Sequence, residues 1–194
     1  MCGFVVAVDA PDLSTDRWEA SLNSLDTRGP DASGESRRGS ALFGHKRLSI
    51  IGLGLQGKQP VDDDHDVLVF NGEIYNYKDL AREIGVRANS DTDVLFEIAK
   101  RDLRVWLPKL RGMFAFVHFS VKTGTISAAR DPFGIKPLYV REHANGGLSL
   151  GSTVASIARL DPNLSPDYEA ISNFLAWGFI PSLHSPFESI KKLP

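Results

Sequence analysis

What most restricts the fold of this 194-residue chain is a series of short apolar runs, each closed off by polar or turn-forming residues. They are Phe4–Val8, Ala41–Gly44, Leu48–Ile51, Val67–Phe70, Met113–Phe119, Thr125–Ala129, Leu138–Val140 and Leu148–Leu150. Runs of this length read as strands, and Lys122-Thr123-Gly124 and Asn145-Gly146-Gly147 read as turns between them. Helical patterns are grouped around these runs. Asp16 can cap a helix with Trp18, Leu22 and Leu25 on one face. Lys78–Ile84 and Asp91–Lys100 follow, and Leu103–Leu110 extends the pattern after a break, with Pro108 near its end. Tyr168–Trp177 is amphipathic, with Phe174 and Leu175 assigned to the core, whereas Trp177, Phe179 and Ile180 lie beyond it as a contact surface. Arg28-Gly29-Pro30-Asp31 and the Gly/Ser/Arg-rich stretch through Ser40 read as a loop, and Gln56–Asp66 as a polar connection. Strands of this kind with helices beside them predict an α+β layered domain; periodicity leaves the strand order open.

A hydrophobic share of 42% and a charged share of 24% supply a core without metal or disulfide. The single cysteine excludes an intrachain disulfide. A net charge of −2 provides no basic field for nucleic acid. No apolar run approaches the ~20 residues of a membrane span, and the first residues do not read as a secretory signal. A cytoplasmic location is expected, with no nucleic-acid or membrane partner.

The cysteine stands at position two. Removal of the initiator Met1 would expose a thiol beside a free α-amine, groups with ordinary pKa values of about 8.5 and about 7.7–8.0. Such an amine can serve as the base for its own thiol, with no histidine required. Gly3 leaves room for a substrate to approach the backbone. The plain alternative is a small buried hydrophobe. Three other positions supply complementary chemistry. Arg47, at a strand start, can grip a carboxylate bidentately, or form an ordinary surface salt bridge. Asn71 and Gly72, ending an apolar strand, bring a side-chain amide and a backbone N–H together, as an oxyanion hole requires; an Asn-Gly turn is the alternative. Asp91 can bind an ammonium, cap a helix, or do both. The acidic run Asp62-Asp63-Asp64-His65-Asp66 reads as solvated rather than metal-binding, and His118, His143 and His184 have no ligand spacing.

Seven segments appear in order: Met1-Cys2-Gly3, Arg28-Gly29-Pro30-Asp31, His45-Lys46-Arg47-Leu48-Ser49-Ile50, Asn71-Gly72-Glu73-Ile74-Tyr75-Asn76-Tyr77, Ser90-Asp91-Thr92-Asp93, Gly112-Met113-Phe114-Ala115-Phe116 and Arg130-Asp131-Pro132-Phe133-Gly134-Ile135-Lys136-Pro137-Leu138-Tyr139. In this series the chain resembles the class II glutamine amidotransferase domain of the asparagine synthetase type, over essentially its whole length. The resemblance implies an N-terminal-nucleophile hydrolase fold, an αββα sandwich of two antiparallel sheets between helix layers. It implies that residues 1–194 form a glutaminase domain in which Cys2 is the nucleophile and its own amine the base. Asn71 and the Gly72 N–H would form the oxyanion hole. Arg47 would hold the glutamine α-carboxylate, the backbone of Leu48, Ser49, Ile50 and Ile51 would line the pocket, and Glu73 and Asp91 would hold the α-ammonium.

No cofactor or metal is expected in this domain; ATP and Mg would belong to a C-terminal synthetase domain that the chain lacks, acting in cis or in trans. A homodimer is also compatible. The alternatives are a catalytically weak or regulatory binding module, or an amidotransferase for an acceptor in surface-sugar or specialised metabolism. Thr27, Pro132, Ser152-Thr153 and Asp93 depart from the usual family residues, and the Ser-Thr pair is expected to alter the face that meets the synthetase domain.

Overall fold

The computed structural model describes residues 1–48, 57–87, 89–181 and 183–194. The strands are β1 (Gly3–Val8), β2 (Ala32–Arg38), β3 (Ala41–Arg47), β4 (Val61–Asp62), β5 (Asp66–Ile74), β6 (Gly112–Ser120), β7 (Thr125–Arg130), β8 (Tyr139–Glu142), β9 (Leu148–Gly151) and β10 (Lys191–Lys192). The helices are α1 (Thr15–Asn23), α2 (Tyr77–Ile84), α3 (Asp91–Ala99), α4 (Leu103–Trp106), α5 (Val154–Ala158) and α6 (Tyr168–Trp177).

Two antiparallel sheets result, in the orders β10-β8-β9-β1-β3-β2 and β4-β5-β6-β7. The central strands read as continuous apolar runs because both of their faces are buried. On β1, Phe4, Val6 and Val8 point between the sheets, where they meet Val67, Val69, Ala115 and Val117. Val5 and Ala7 point the other way, onto Trp18, Leu22 and Leu25 of the α1 segment. β5 divides in the same manner: Leu68 and Phe70 join Leu80, Val94, Leu95 and Ile98 under α2 and α3. Period-two alternation thus builds four layers, helix–sheet–sheet–helix, as expected from the family resemblance.

Several local expectations are corrected. The stretch ending at Ser40 contains a strand, β2, joined to β3 with Arg38 opposite Ala41. It is an edge strand with largely exposed side chains, so it lacks the apolar alternation by which strands are found. Arg47 ends β3 instead of starting a strand, and most of the expected strand Leu48–Ile51 lies outside the described residues. Asn71–Glu73 lie within β5, which runs on to Ile74. Ser14 caps α1 and Ser90 caps α3, which leaves Asp16 and Asp91 in first turns. Leu103–Leu110 is divided into α4 and a 3₁₀ turn at Leu107–Lys109 that contains Pro108. Apart from these corrections, Ser152 Oγ accepts the Phe4 N–H at 3.1 Å, and Thr153 caps α5. Phe174 and Leu175 are not core residues; at 52% and 79% exposure they stand in solvent with Trp177 and Phe179.

Candidate active site

Cys2 precedes β1, and the pairing of Gly3 with Lys46 brings it level with the end of β3. There the half-buried Sγ accepts the Leu48 N–H at 3.4 Å and faces the Leu48 carbonyl at 3.6 Å. Arg28 Nε donates to the Cys2 carbonyl oxygen at 3.1 Å. The sequence marks Arg28 as part of a loop and of a family segment without a role; its place as a brace for Cys2 depends on the turn after α1, which no local pattern announces. Burial lowers its pKa, against the opposing influence of Cys2 and Tyr139. The space at Gly3 is taken by Leu25 and Arg28, which a Cβ there would meet at 3.1 and 3.3 Å, so it serves packing and not substrate approach.

One cleft, with a cavity volume of about 110 Å³, gathers Cys2, Arg47, Leu48, Asn71, Gly72, Glu73 and Asp91. Every candidate site residue that is described lines it; Ser49, Ile50 and Ile51 lie outside the described residues. Met1 is at its wall, and while Met1 is attached the Cys2 nitrogen is a peptide amide and no base.

β5 supplies the donors. Phe70 N–H donates to Gln59 Oε1 at 2.6 Å, and Ile74 N–H donates to Asp91 Oδ2 at 3.0 Å. Both bonds leave β5 on the side away from β6. Since N–H direction alternates along an antiparallel strand, the Gly72 N–H between them is directed to that same side. Gly72 has φ +153°, and a Cβ on it would fall 2.1 Å from the Met113 carbonyl oxygen, so a side chain is excluded here. Asn71 is 1% exposed, and its Nδ2 has no hydrogen-bond partner among the described residues. Buried donors are rarely left unpaired, so this one marks a place for an incoming acceptor.

The opposite charges are also arranged. Arg47 is buried at the end of β3. Asp91, in the first turn of α3, accepts the Thr92 N–H at 2.9 Å with its other oxygen. Burial raises its pKa; the backbone N–H groups of Ile74, Thr92 and Asp91 itself pull it down, and neighbouring Glu73 adds to the rise. Two adjacent carboxylates with one disfavoured as an anion form a place for a cation. Lys136, not singled out from the sequence, is buried and lines the same cleft. Its loop is held by Asp131, which accepts N–H groups of Lys136, Ile135, Phe114 and Phe133 at 2.9–3.2 Å. Although burial raises the Asp131 pKa, these four donors bring it below the ordinary carboxylate value.

The acidic run is engaged elsewhere. Asp62 pairs with Arg38, Asp63 with Lys100, and Asp66 with His118. No cluster of three or more His, Cys, Asp or Glu suited to a metal occurs among the described residues, and none of their helices is long and apolar enough to cross a membrane.

The family model described as "Glutamine amidotransferase domain" matches residues 1–194. Asparagine synthetase [glutamine-hydrolyzing] 1 of Bacillus subtilis is 33% identical, over all of this chain and 32% of its own length. Asparagine synthetase [glutamine-hydrolyzing] of Asparagus officinalis is 33% identical over 81% of the chain and 28% of its own length. Amidase chry2 of Gibberella zeae is 39% identical over 75% and 25%. The chain therefore spans about a third or less of each of these relatives. Among solved structures, the glutamine phosphoribosylpyrophosphate amidotransferase of B. subtilis has a TM-score of 0.65 at 19% identity, over 82% of this chain and 43% of that one, a likeness of fold. By its match to the family model over all 194 residues, the chain belongs to the glutamine amidotransferase domain family.

Proposed function

We propose that the chain hydrolyses the side-chain amide of L-glutamine through a thioester on Cys2. The observation that carries this reading is the convergence of Cys2, an Asn71 amide nitrogen unpartnered among the described residues, Arg47 and the Glu73/Asp91 pair on one cleft. Arg47 binds the α-carboxylate, and Glu73 and Asp91 bind the α-ammonium, which directs the side-chain amide toward Cys2. The backbone at Leu48 forms part of the pocket wall.

Once Met1 is removed, the Cys2 amine takes the thiol proton as Sγ attacks the amide carbon. Asn71 Nδ2 and the Gly72 N–H stabilise the oxyanion. The amine then gives its proton to the departing nitrogen, the C–N bond breaks, and ammonia leaves a γ-glutamyl thioester. Water, deprotonated by the same amine, attacks the thioester; glutamate departs and the thiol is restored.

Residues 1–194 act here as the glutaminase domain, and the ammonia passes to an ATP- and Mg-using synthetase domain in cis or in trans. Two observations favour such a partner. The relatives are about three times as long or longer, and α6 with its following turn exposes Phe174, Leu175, Trp177 and Phe179 together. The same patch offers a surface for self-association in the isolated chain. Asparagine is the product we favour, after the asparagine synthetases among the relatives. Acid quenching during turnover of glutamine, followed by peptide mass analysis, is expected to find a glutamyl group on Cys2. Turnover that persists in Cys2→Ala would overturn the proposal.

A further inference from the structure

The segment Gly57–Pro60 passes between the two sheets at the wall of the cleft, and both Gly57 and Gln59 line it. Neither belongs to the groups that bind or react in the scheme above. A Cβ built on Gly57 would stand 2.1 Å from Arg47 Nη2, 2.5 Å from Cζ and 3.0 Å from Nε. The guanidinium therefore fills the volume that any side chain at Gly57 would occupy. Two residues on, Gln59 is buried and its Oε1 accepts the Phe70 N–H at 2.6 Å. β4 pairs with β5 only at Val61–Leu68 and Asp62–Val67, so beyond Val61 side chains take over from strand pairing. Gln59 receives the Phe70 N–H, and His45 Nε2 lies 3.1 Å from the Phe70 carbonyl oxygen. These bonds fix the residue before Asn71, while Asp91 fixes Ile74 on the other side of Gly72. Gln59 is held in turn by Gly34 of β2, where a Cβ would fall 2.1 Å from the Gln59 carbonyl oxygen.

We propose that Gly57 and Gln59 are positioning residues: Gly57 seats the Arg47 guanidinium that binds the substrate carboxylate, and the Gln59 carboxamide holds the β5 edge open at Asn71–Gly72. The inference rests on the glutaminase reading and adds to it a determinant of substrate specificity. In Gly57→Ala the collision is with the far end of a flexible side chain, so Arg47 moves and the backbone stays. Displacing a substrate clamp by about 1 Å can cost on the order of 10²-fold.

The test uses the Met1-processed chain with L-glutamine and with 4-aminobutanamide, which lacks the α-carboxylate. Gly57→Ala is expected to raise KM for glutamine about 10²-fold with little change in kcat, and to leave 4-aminobutanamide turnover at the parent level. In an Arg47→Ala background the same substitution is expected to be silent, because no guanidinium remains to be displaced. A further loss in that background, or an unchanged KM in the single variant, would make Gly57 a fold residue and refute its role. Gln59→Met is expected to lower kcat about tenfold with a smaller effect on KM, and Gln59→Glu, which keeps an acceptor, to recover most of the loss. Equal losses in both variants would overturn the role of Gln59. The Gly57 arm is decisive whether or not Gln59→Met folds. An active parent with a silent Gly57→Ala rejects this inference alone, whereas an inactive processed parent rejects the glutaminase reading and the inference together.

Discussion

Asn71→Ala separates catalysis from stability more sharply than any other single substitution in the cleft. Its Nδ2 is buried without a partner among the described residues, so truncation removes no hydrogen bond at that atom in the resting protein. An unpaired buried donor costs about 1–3 kcal/mol, and truncation relieves that cost. Against it stands the small cavity left by the amide, at about 24 cal/mol per Å³. The two terms oppose, and the unfolding free energy is expected to change by no more than about 1 kcal/mol. The transition state has no such compensation, and losing one oxyanion donor lowers kcat by about 10²–10³-fold, or about 2.7–4 kcal/mol. Asp131→Ala is the matched contrast. It removes the acceptor of four backbone N–H groups and is expected to destabilise by several kcal/mol, at about 1–3 kcal/mol per orphaned buried donor. Urea unfolding and steady-state release of glutamate, measured on both variants, give the two axes. If Asn71→Ala raises only KM, or destabilises as much as Asp131→Ala, the reasoning fails.

Arg47→Lys keeps the charge but loses the bidentate fork, so KM for glutamine is expected to rise by about tenfold or more while kcat changes less, measured by initial rates. Asp91 must be ionised to hold the α-ammonium, and its pKa is raised by burial. KM is therefore expected to climb on the acid side at a higher pH than an ordinary carboxylate would give, and Asp91→Asn to flatten that limb. His45, buried between the sheets, has its pKa lowered by desolvation from 6.5 to about 4. A depressed pKa means that stability is fully present above the unfolded value and is lost as pH falls toward the folded one. The difference, at 1.36 kcal/mol per unit, is about 3 kcal/mol, to be read as a decline in unfolding free energy between about pH 6.5 and about pH 4.

The layered fold was legible because the central strands are buried on both faces: Phe4–Val8 and Val67–Phe70 have no other way to satisfy an unbroken apolar run. The failures have a common physical origin. β2 is an exposed edge strand whose pairing comes from the hairpin with β3 and not from its side chains. Phe174 and Leu175 were placed in the core because helical spacing identifies an apolar face but not what covers it. At the site, Cys2, Arg47, Asn71, Gly72, Glu73 and Asp91 were legible from the chemistry of their side chains and from motif order. Arg28, Gln59, Lys136 and Gly57 are not, because each reaches the site through contacts that only the folded chain makes. Gly57 is the extreme case, since its contribution is the absence of a side chain beside a residue ten positions earlier.

The central claim is that the α-amine of Cys2 is the catalytic base, and the most direct test changes only whether that amine exists. Two preparations of the same chain, one with Met1 retained and one with Met1 removed, are verified by intact mass and assayed for glutamine hydrolysis. In the retained form the Cys2 nitrogen is a peptide amide, and Met1 occupies the wall of the cleft. The account expects hydrolysis in the processed chain and, in the retained chain, a rate lower by at least about 10²-fold, the scale of a lost general base. Equal rates in the two preparations would contradict it.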